Sequence, residues 1–178
     1  DPQLETAQRT KFVTIITKEA ERLTRLINQV LDLAKIESGR ADWYVTQVDV
    51  RQIVTDALAG MGPVFEDKGI EVVAHFPERA SLVKADLDRL TQVLLNLLSN
   101  AVKFCAPGHG RIDVSLSEAT GALRVDIRDN GPGIAPEDQK MIFEKFRQAG
   151  DTMTAKPAGT GLGLHISRQI VEHLGGRL

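Results

Sequence analysis

The sequence is poor in several things that would settle a function early. Cysteine is nearly absent: Cys105 stands alone, so no internal disulfide and no cysteine-cluster metal site can form, and a reducing compartment fits. With one Trp, one Tyr and six Phe, the core has to be aliphatic. Neither sign of charge dominates. The 22 Lys+Arg against 24 Asp+Glu leave a formal charge of −2, so nucleic acid or an anionic membrane meets no global attraction and is not expected as a main partner. No apolar run approaches the roughly 18 residues of a membrane span. Even the richest stretch, Val93 to Leu98, is interrupted by Asn96, and no signal peptide precedes it.

What is present belongs to a soluble globular chain, 42% hydrophobic and 26% charged over 178 residues. That length holds one full domain with a short extension. The first residue is Asp1 rather than Met, so the chain reads as an excised fragment, with any membrane anchor or sensor lying upstream. Residues 3–37 contain no Gly or Pro, and Ile16, Ala20, Leu23, Ile27, Val30 and Ala34 recur at spacings of four and three. This is the heptad seam of one long helix, and Ser38-Gly39 ends it. Downstream, Trp43 to Val48 reads as a strand, and Asp49 caps a helix over about 50–68 that Gly62-Pro63 should kink or interrupt. Ile70 to Phe76 and Leu82 to Lys84 read as short strands, and Asp86 caps a helix reaching Phe104. Arg111 to Glu118 and Ala122 to Arg128 alternate as a hairpin around Ala119-Thr120-Gly121. A brief helix near 136–143 follows, and Gly161 opens a last helix that stops at Gly175-Gly176. The expected fold class is therefore α+β, an α/β sandwich. A mixed, largely antiparallel sheet is covered on one face by helices and preceded by one long N-terminal helix.

Three segments carry chemistry. On the helix of 86–104, Asn96, Asn100 and Lys103 fall at i, i+4 and i+7, within about 60° of arc. Amide oxygens can ligate a hard cation, while amide nitrogens and an ammonium can meet phosphate; the plainer alternative is a solvated helix face. Asp129-Asn130-Gly131-Pro132-Gly133-Ile134 follows a strand directly. Its residues suit an ordinary turn, yet a carboxylate beside Ile134 also suits a flat heterocycle with an exocyclic amino group. Gly159-Thr160-Gly161-Leu162-Gly163-Leu164 lies at a helix start, where free N–H groups and the dipole attract phosphate. It lacks the Gly-Lys-Ser/Thr of a P-loop and the βαβ setting of a dinucleotide fold.

With these motifs in this order, the sequence resembles the ATP-binding catalytic domain of sensor histidine kinases, of the Bergerat-type fold shared with DNA gyrase and mismatch-repair ATPases. Gln92 to Phe104 resembles the asparagine box, Asp129 to Ile134 the first glycine box, Phe143-Glu144-Lys145-Phe146 the phenylalanine box, and Gly159 to Leu164 the second glycine box. Residues 41–178 resemble the catalytic domain without its terminal strands. Residues 1–40 resemble the second helix of the dimerisation and histidine-phosphotransfer hairpin, without the first. The resemblance implies that Asn100 ligates magnesium, that Asn96 and Lys103 hold phosphates, and that Phe104 packs on adenine. It implies that Asp129 accepts from the adenine amino group and that Gly131 and Gly133 let the loop close on the base beside Ile134. Gly159, Thr160, Gly161, Leu162, Gly163 and Leu164 would cradle phosphates, the amides of Gly161, Leu162 and Gly163 foremost. Residues 135–158 would form an ATP lid, anchored by Phe143 and Phe146, with Arg147 reaching the γ-phosphate.

The implied activity is a histidine autokinase of two-component signalling that uses ATP and magnesium. Its partners would be a second copy through the N-terminal helix and a response-regulator receiver domain, and its site cytoplasmic. None of the four histidines, at positions 75, 109, 165 and 173, is followed by an acidic residue, so the phosphoacceptor is expected outside this chain. Two alternatives stand beside this one: a gyrase-type ATPase, and a non-catalytic nucleotide-binding or dimerisation module. The gyrase-type enzymes carry a glutamate base where this helix offers Asn96, and an amide cannot take a proton.

Overall fold

The computed structural model describes residues 6–79, 81–119, 121–147 and 159–178. It divides into two compact units, residues 1–41 and 42–178. The first is a single helix, α1 (Thr6–Glu37), which ends as its sequence predicts: the N–H of Arg40 bonds the Lys35 carbonyl and that of Gly39 the Ile36 carbonyl. Among the described residues of this unit nothing covers the seam, and Ile16, Leu23 and Ile27 are 67%, 56% and 50% exposed.

The second unit runs β1 (Val45–Asp49), α2 (Val50–Asp67), β2 (Glu71–His75), β3 (Leu82–Asp86), α3 (Leu87–Phe104), β4 (Arg111–Ala119), β5 (Ala122–Asp129) and α4 (Gly163–His173). Its strands form two sheets. β1 pairs antiparallel with β3, and a three-stranded sheet has the order β2-β4-β5, parallel between β2 and β4 and antiparallel between β4 and β5. Alternation on β4 sends Ile112, Val114 and Leu116 into the core. There they meet Val54 and Ala57 of α2 and Leu94, Leu98 and Ala101 of α3. Arg111, Asp113 and Glu71 are left to pair on the outer face.

Three local expectations fail. α2 runs unbroken through Pro63. Proline there removes one backbone bond, but Ile53, Val54, Ala57 and Phe65 are buried on either side of it and hold the helix across the gap. Around 136–143 there is no α-helix, only turns and one 3-10 turn at Met141–Phe143. Apolar residues occur only at the end of that segment, too few to propagate a helix. The last helix also begins two residues later than expected, at Gly163.

Asp86 ties the first turn of α3 to the entry of β1 within the second unit. Its carboxylate is buried, caps α3 through the Arg89 N–H (3.0 Å), and accepts the Tyr44 N–H (2.7 Å) at the start of β1. Desolvation pushes its pKa up, but the backbone N–H groups of Arg89, Tyr44 and Asp88 and the Arg89 charge outweigh that and hold it below the ordinary 3.8. A depressed carboxylate contributes stability that is complete above the ordinary value and disappears as pH falls through the folded one. Asp86→Ala is expected to cost about 2 kcal/mol at neutral pH, from a lost cap and an unpaired buried N–H. Asp86→Asn should cost less and flatten the acid limb. Urea midpoints at neutral and acid pH test this; an Ala variant as stable as the parent contradicts it.

Candidate functional site

α3 is the floor of the site. Its apolar side, Leu94, Leu98 and Ala101, is fixed in the core, which obliges the stripe of Asn96, Asn100 and Lys103 to face the other way. Asn96 and Asn100 are half-buried and Lys103 is exposed. Crowding around the Lys103 ammonium lowers its pKa from 10.5 by desolvation. Its Nζ lies 4.3 Å from the centroid of the Phe104 ring, which is itself half exposed.

Two further segments close on α3, each at a glycine: one on the backbone of Phe104 at its end, the other on Asn96. β5 ends at Asp129, whose Oδ1 accepts the Gly131 N–H at 2.8 Å and folds the turn back over the end of α3. A Cβ on Gly131 would stand 2.3 Å from the Phe104 carbonyl oxygen, so no other residue fits that approach. Asn130 braces the same turn: its Oδ1 accepts from Ala106 and Arg111 and its Nδ2 donates to the His109 carbonyl at 2.7 Å. Sequence reasoning passed over Asn130, although an Asn within a strand-ending turn is a signal for such bonding. Gly133 and Ile134 lie on the open side of the turn, Ile134 45% exposed.

On the other side, α4 starts above Asn96. A Cβ on Gly163 would lie 2.2 Å from Asn96 Oδ1, so the missing side chain is the space the amide fills. Asn96 Nδ2 then donates to Ser167 Oγ at 2.9 Å. A Cβ on Gly159 would be 3.6 Å from Lys103 Nζ, which puts that ammonium beside the glycine turn. The N-cap residue of α4, Leu162, makes no side-chain cap bond, and the first-turn N–H groups of a helix have no partner within the helix. Leu162 differs from expectation: its N–H donates to Thr160 Oγ1 at 3.3 Å, and its side chain is fully buried.

The short stretch 143–146 is fastened at both ends. His165 Nδ1 donates to the Phe143 carbonyl at 2.9 Å, and the Phe146 N–H donates to the Gly161 carbonyl at 3.0 Å. Phe146 adopts a φ of 60°, and its ring is exposed. Arg147 is not directed at the stripe; it pairs with Glu144 at 3.3 Å. The rest of the expected lid, residues 148–158, lies outside the described residues.

Asn96, Lys103, Phe104, Asp129, Gly131, Gly159, Gly161 and Gly163 are thus brought to one side of α3. Helices packed against a mixed sheet, with a carboxylate turn at the end of α3 and a glycine-led helix start on Asn96, make this an ATPase-type α/β sandwich. The chain belongs to the histidine kinase-, DNA gyrase B- and HSP90-like ATPase family, whose pattern matches residues 85–178. It is 34% identical over 178 residues to the sensor histidine kinase GacS of Pseudomonas protegens, covering 97% of this chain and 19% of that protein. It is 33% identical over 171 residues to the autoinducer 2 sensor kinase/phosphatase LuxQ of Vibrio cholerae, covering 94% of this chain and 20% of that one. Among solved structures, full-length ShkA in complex with AMPPNP superposes with a TM-score of 0.79 at 31% identity, covering 97% of this chain and 35% of that chain. The chain therefore spans about a fifth of the length of these curated relatives. No helix among the described residues is long and apolar enough to cross a membrane.

Proposed function

We propose that the chain is the ATP-binding part of a sensor histidine kinase, and that it presents the γ-phosphoryl group of ATP to a histidine carried by a dimerisation helix of the parent protein. The observation that carries this is the closure of the Asp129 turn on the end of α3 and of the α4 start on Asn96, at two glycines that admit no side chain. The family relation and the likeness to sensor kinases support the same reading. The free Asp129 carboxylate oxygen would accept from the adenine amino group between Ile134 and Phe104. Lys103 and the N–H groups of the first α4 turn would hold the phosphates.

The residues present fit a magnesium ion carried in with the nucleotide. Asn100 is half-buried, and its carboxamide has no hydrogen-bond partner among the described residues, which leaves its oxygen open as a ligand. No group of three or more His, Cys, Asp or Glu among the described residues could hold a metal ion alone, which suits a cation shared with phosphates. Bound there, magnesium supplies charge neutralisation at the transferring phosphoryl group. Transfer breaks the bond between the γ-phosphorus and the β–γ bridging oxygen and forms one to an imidazole nitrogen. ADP leaves, and the imidazole proton passes to a carboxylate beside the acceptor. Hydrolysis should be slow, because Asn96 offers an amide, already bonded to Ser167, where a water-activating base would be needed. Titration with magnesium-ATP tests the site: saturable binding that ADP competes away is expected, and no binding to the folded chain contradicts it.

The same reading includes a second copy docked through α1, a receiver domain as the phosphate's next acceptor, and a cytoplasmic setting. An aliphatic seam this exposed drives association. Sedimentation should show a monomer–dimer equilibrium that Leu23→Glu shifts at least tenfold toward monomer. A strict monomer at every concentration contradicts the dimer.

A further inference from the structure

Ser167 is a buried polar residue to which no step above gives a role of its own. It is 2% exposed, with Ile166 and Ile170, 3% and 0% exposed, beside it on the core side of α4. A hydroxyl in such surroundings needs a partner, and the one it has is the Asn96 carboxamide, 71 residues away in sequence. The carboxamide is held from two sides. Ser167 Oγ takes its Nδ2–H, and the vacant Cβ position of Gly163, 2.2 Å from Oδ1 and 3.0 Å from Nδ2, leaves it room on the other.

This arrangement gives Asn96 a task other than touching phosphate. A side chain pinned between Gly163 and Ser167 spans the first turn of α4 and fastens it to α3. The N–H groups of that turn are the ones a phosphate would meet, and their value depends on being aimed before the ligand arrives. We infer that Ser167 and Asn96 form a clasp that sets the position of the α4 start, so that Ser167 is a positioning residue for the phosphates while making no contact with the nucleotide. The inference rests on the nucleotide-binding reading above and adds to it a residue that lies outside the glycine-rich turn.

A clasp of this kind separates two halves of the ligand. Adenine and ribose would be held by the Asp129 turn and Phe104, away from Ser167; only the phosphates depend on α4. The experiment is calorimetric titration of the whole chain with adenosine and with magnesium-ADP, for the parent, Ser167→Ala, Asn96→Ala and the double variant, with thermal unfolding as a check of folding. Loss of one hydrogen bond's worth of positioning, about 1 kcal/mol, is about fivefold in affinity. Ser167→Ala is expected to weaken ADP about fivefold and leave adenosine unchanged. Asn96→Ala should do the same, and the double variant should lose no more than the worse single one, because the two residues act through one contact.

Equal weakening of adenosine and ADP by Ser167→Ala would show a general packing role and overturn the inference. So would unchanged ADP affinity, or additive losses in the double variant. If the folded parent binds neither ligand, the nucleotide site itself is wrong, a failure distinct from that of the clasp.

Discussion

Asn100→Ala is expected to cut phosphoryl transfer by the parent kinase on the order of 100-fold or more while the chain stays folded. The two halves of that result come from different features of one residue. The carboxamide of Asn100 has no hydrogen-bond partner among the described residues, so its removal strands no donor or acceptor. Ala is also a better helix former than Asn by roughly 0.5 kcal/mol, so α3 should be no weaker. What is lost is the only amide oxygen on the stripe that is not already committed, since that of Asn96 is packed against Gly163. Without a ligand to fix the cation, the γ-phosphoryl group is both less neutralised and less well placed. Initial rates at saturating magnesium-ATP, with unfolding midpoints measured in parallel, decide it. A folded variant that transfers as fast as the parent removes Asn100 from the chemistry.

The second large effect concerns the base. One oxygen of Asp129 is occupied by the Gly131 N–H, which leaves the other for a ligand. That oxygen can only accept. The adenine amino group donates to it, whereas guanine presents a carbonyl at that ring position and would leave a lone pair facing a charge. An unpaired buried group costs roughly 1–3 kcal/mol, more when charged, so ATP should bind about 10-fold to over 100-fold better than GTP. Asp129→Ala should erase most of that preference, with some loss of stability because the turn bond goes too. Asp129→Asn is the more telling change. Its oxygen can keep the bond from Gly131, while its Nδ2–H₂ now donates outward, and the preference should shift toward GTP. Equal binding of both nucleotides by the parent, or unchanged selectivity in Asp129→Asn, takes Asp129 out of the site.

The features that were legible in the sequence are those whose causes are local. Asp86 before an amphipathic run announced α3 and its cap, and the spacing of Asn96, Asn100 and Lys103 placed them on one face because helical geometry alone decides that. The Asp129 turn and the glycine-led start of α4 were legible for the same reason. Features fixed by packing were not. Pro63 carries a strong breaking signal, yet the buried residues around it keep α2 whole. Short runs of alternating residues marked the strands but not their division into two sheets, which depends on pairing across long separations. Asn96 could be assigned to the site but not to its partner, for nothing near Asn96 points to Ser167; only the fold brings them to 2.9 Å.

Kinase function itself is tested most directly by labelling the full-length protein that carries this chain with ATP bearing a marked γ-phosphate. The expected result is acid-labile, base-stable phosphate on a hairpin histidine followed by an acidic residue, absent when that histidine is replaced and absent in Asn100→Ala. A folded, ATP-binding protein that never labels that histidine would contradict the assignment of this site to phosphoryl transfer.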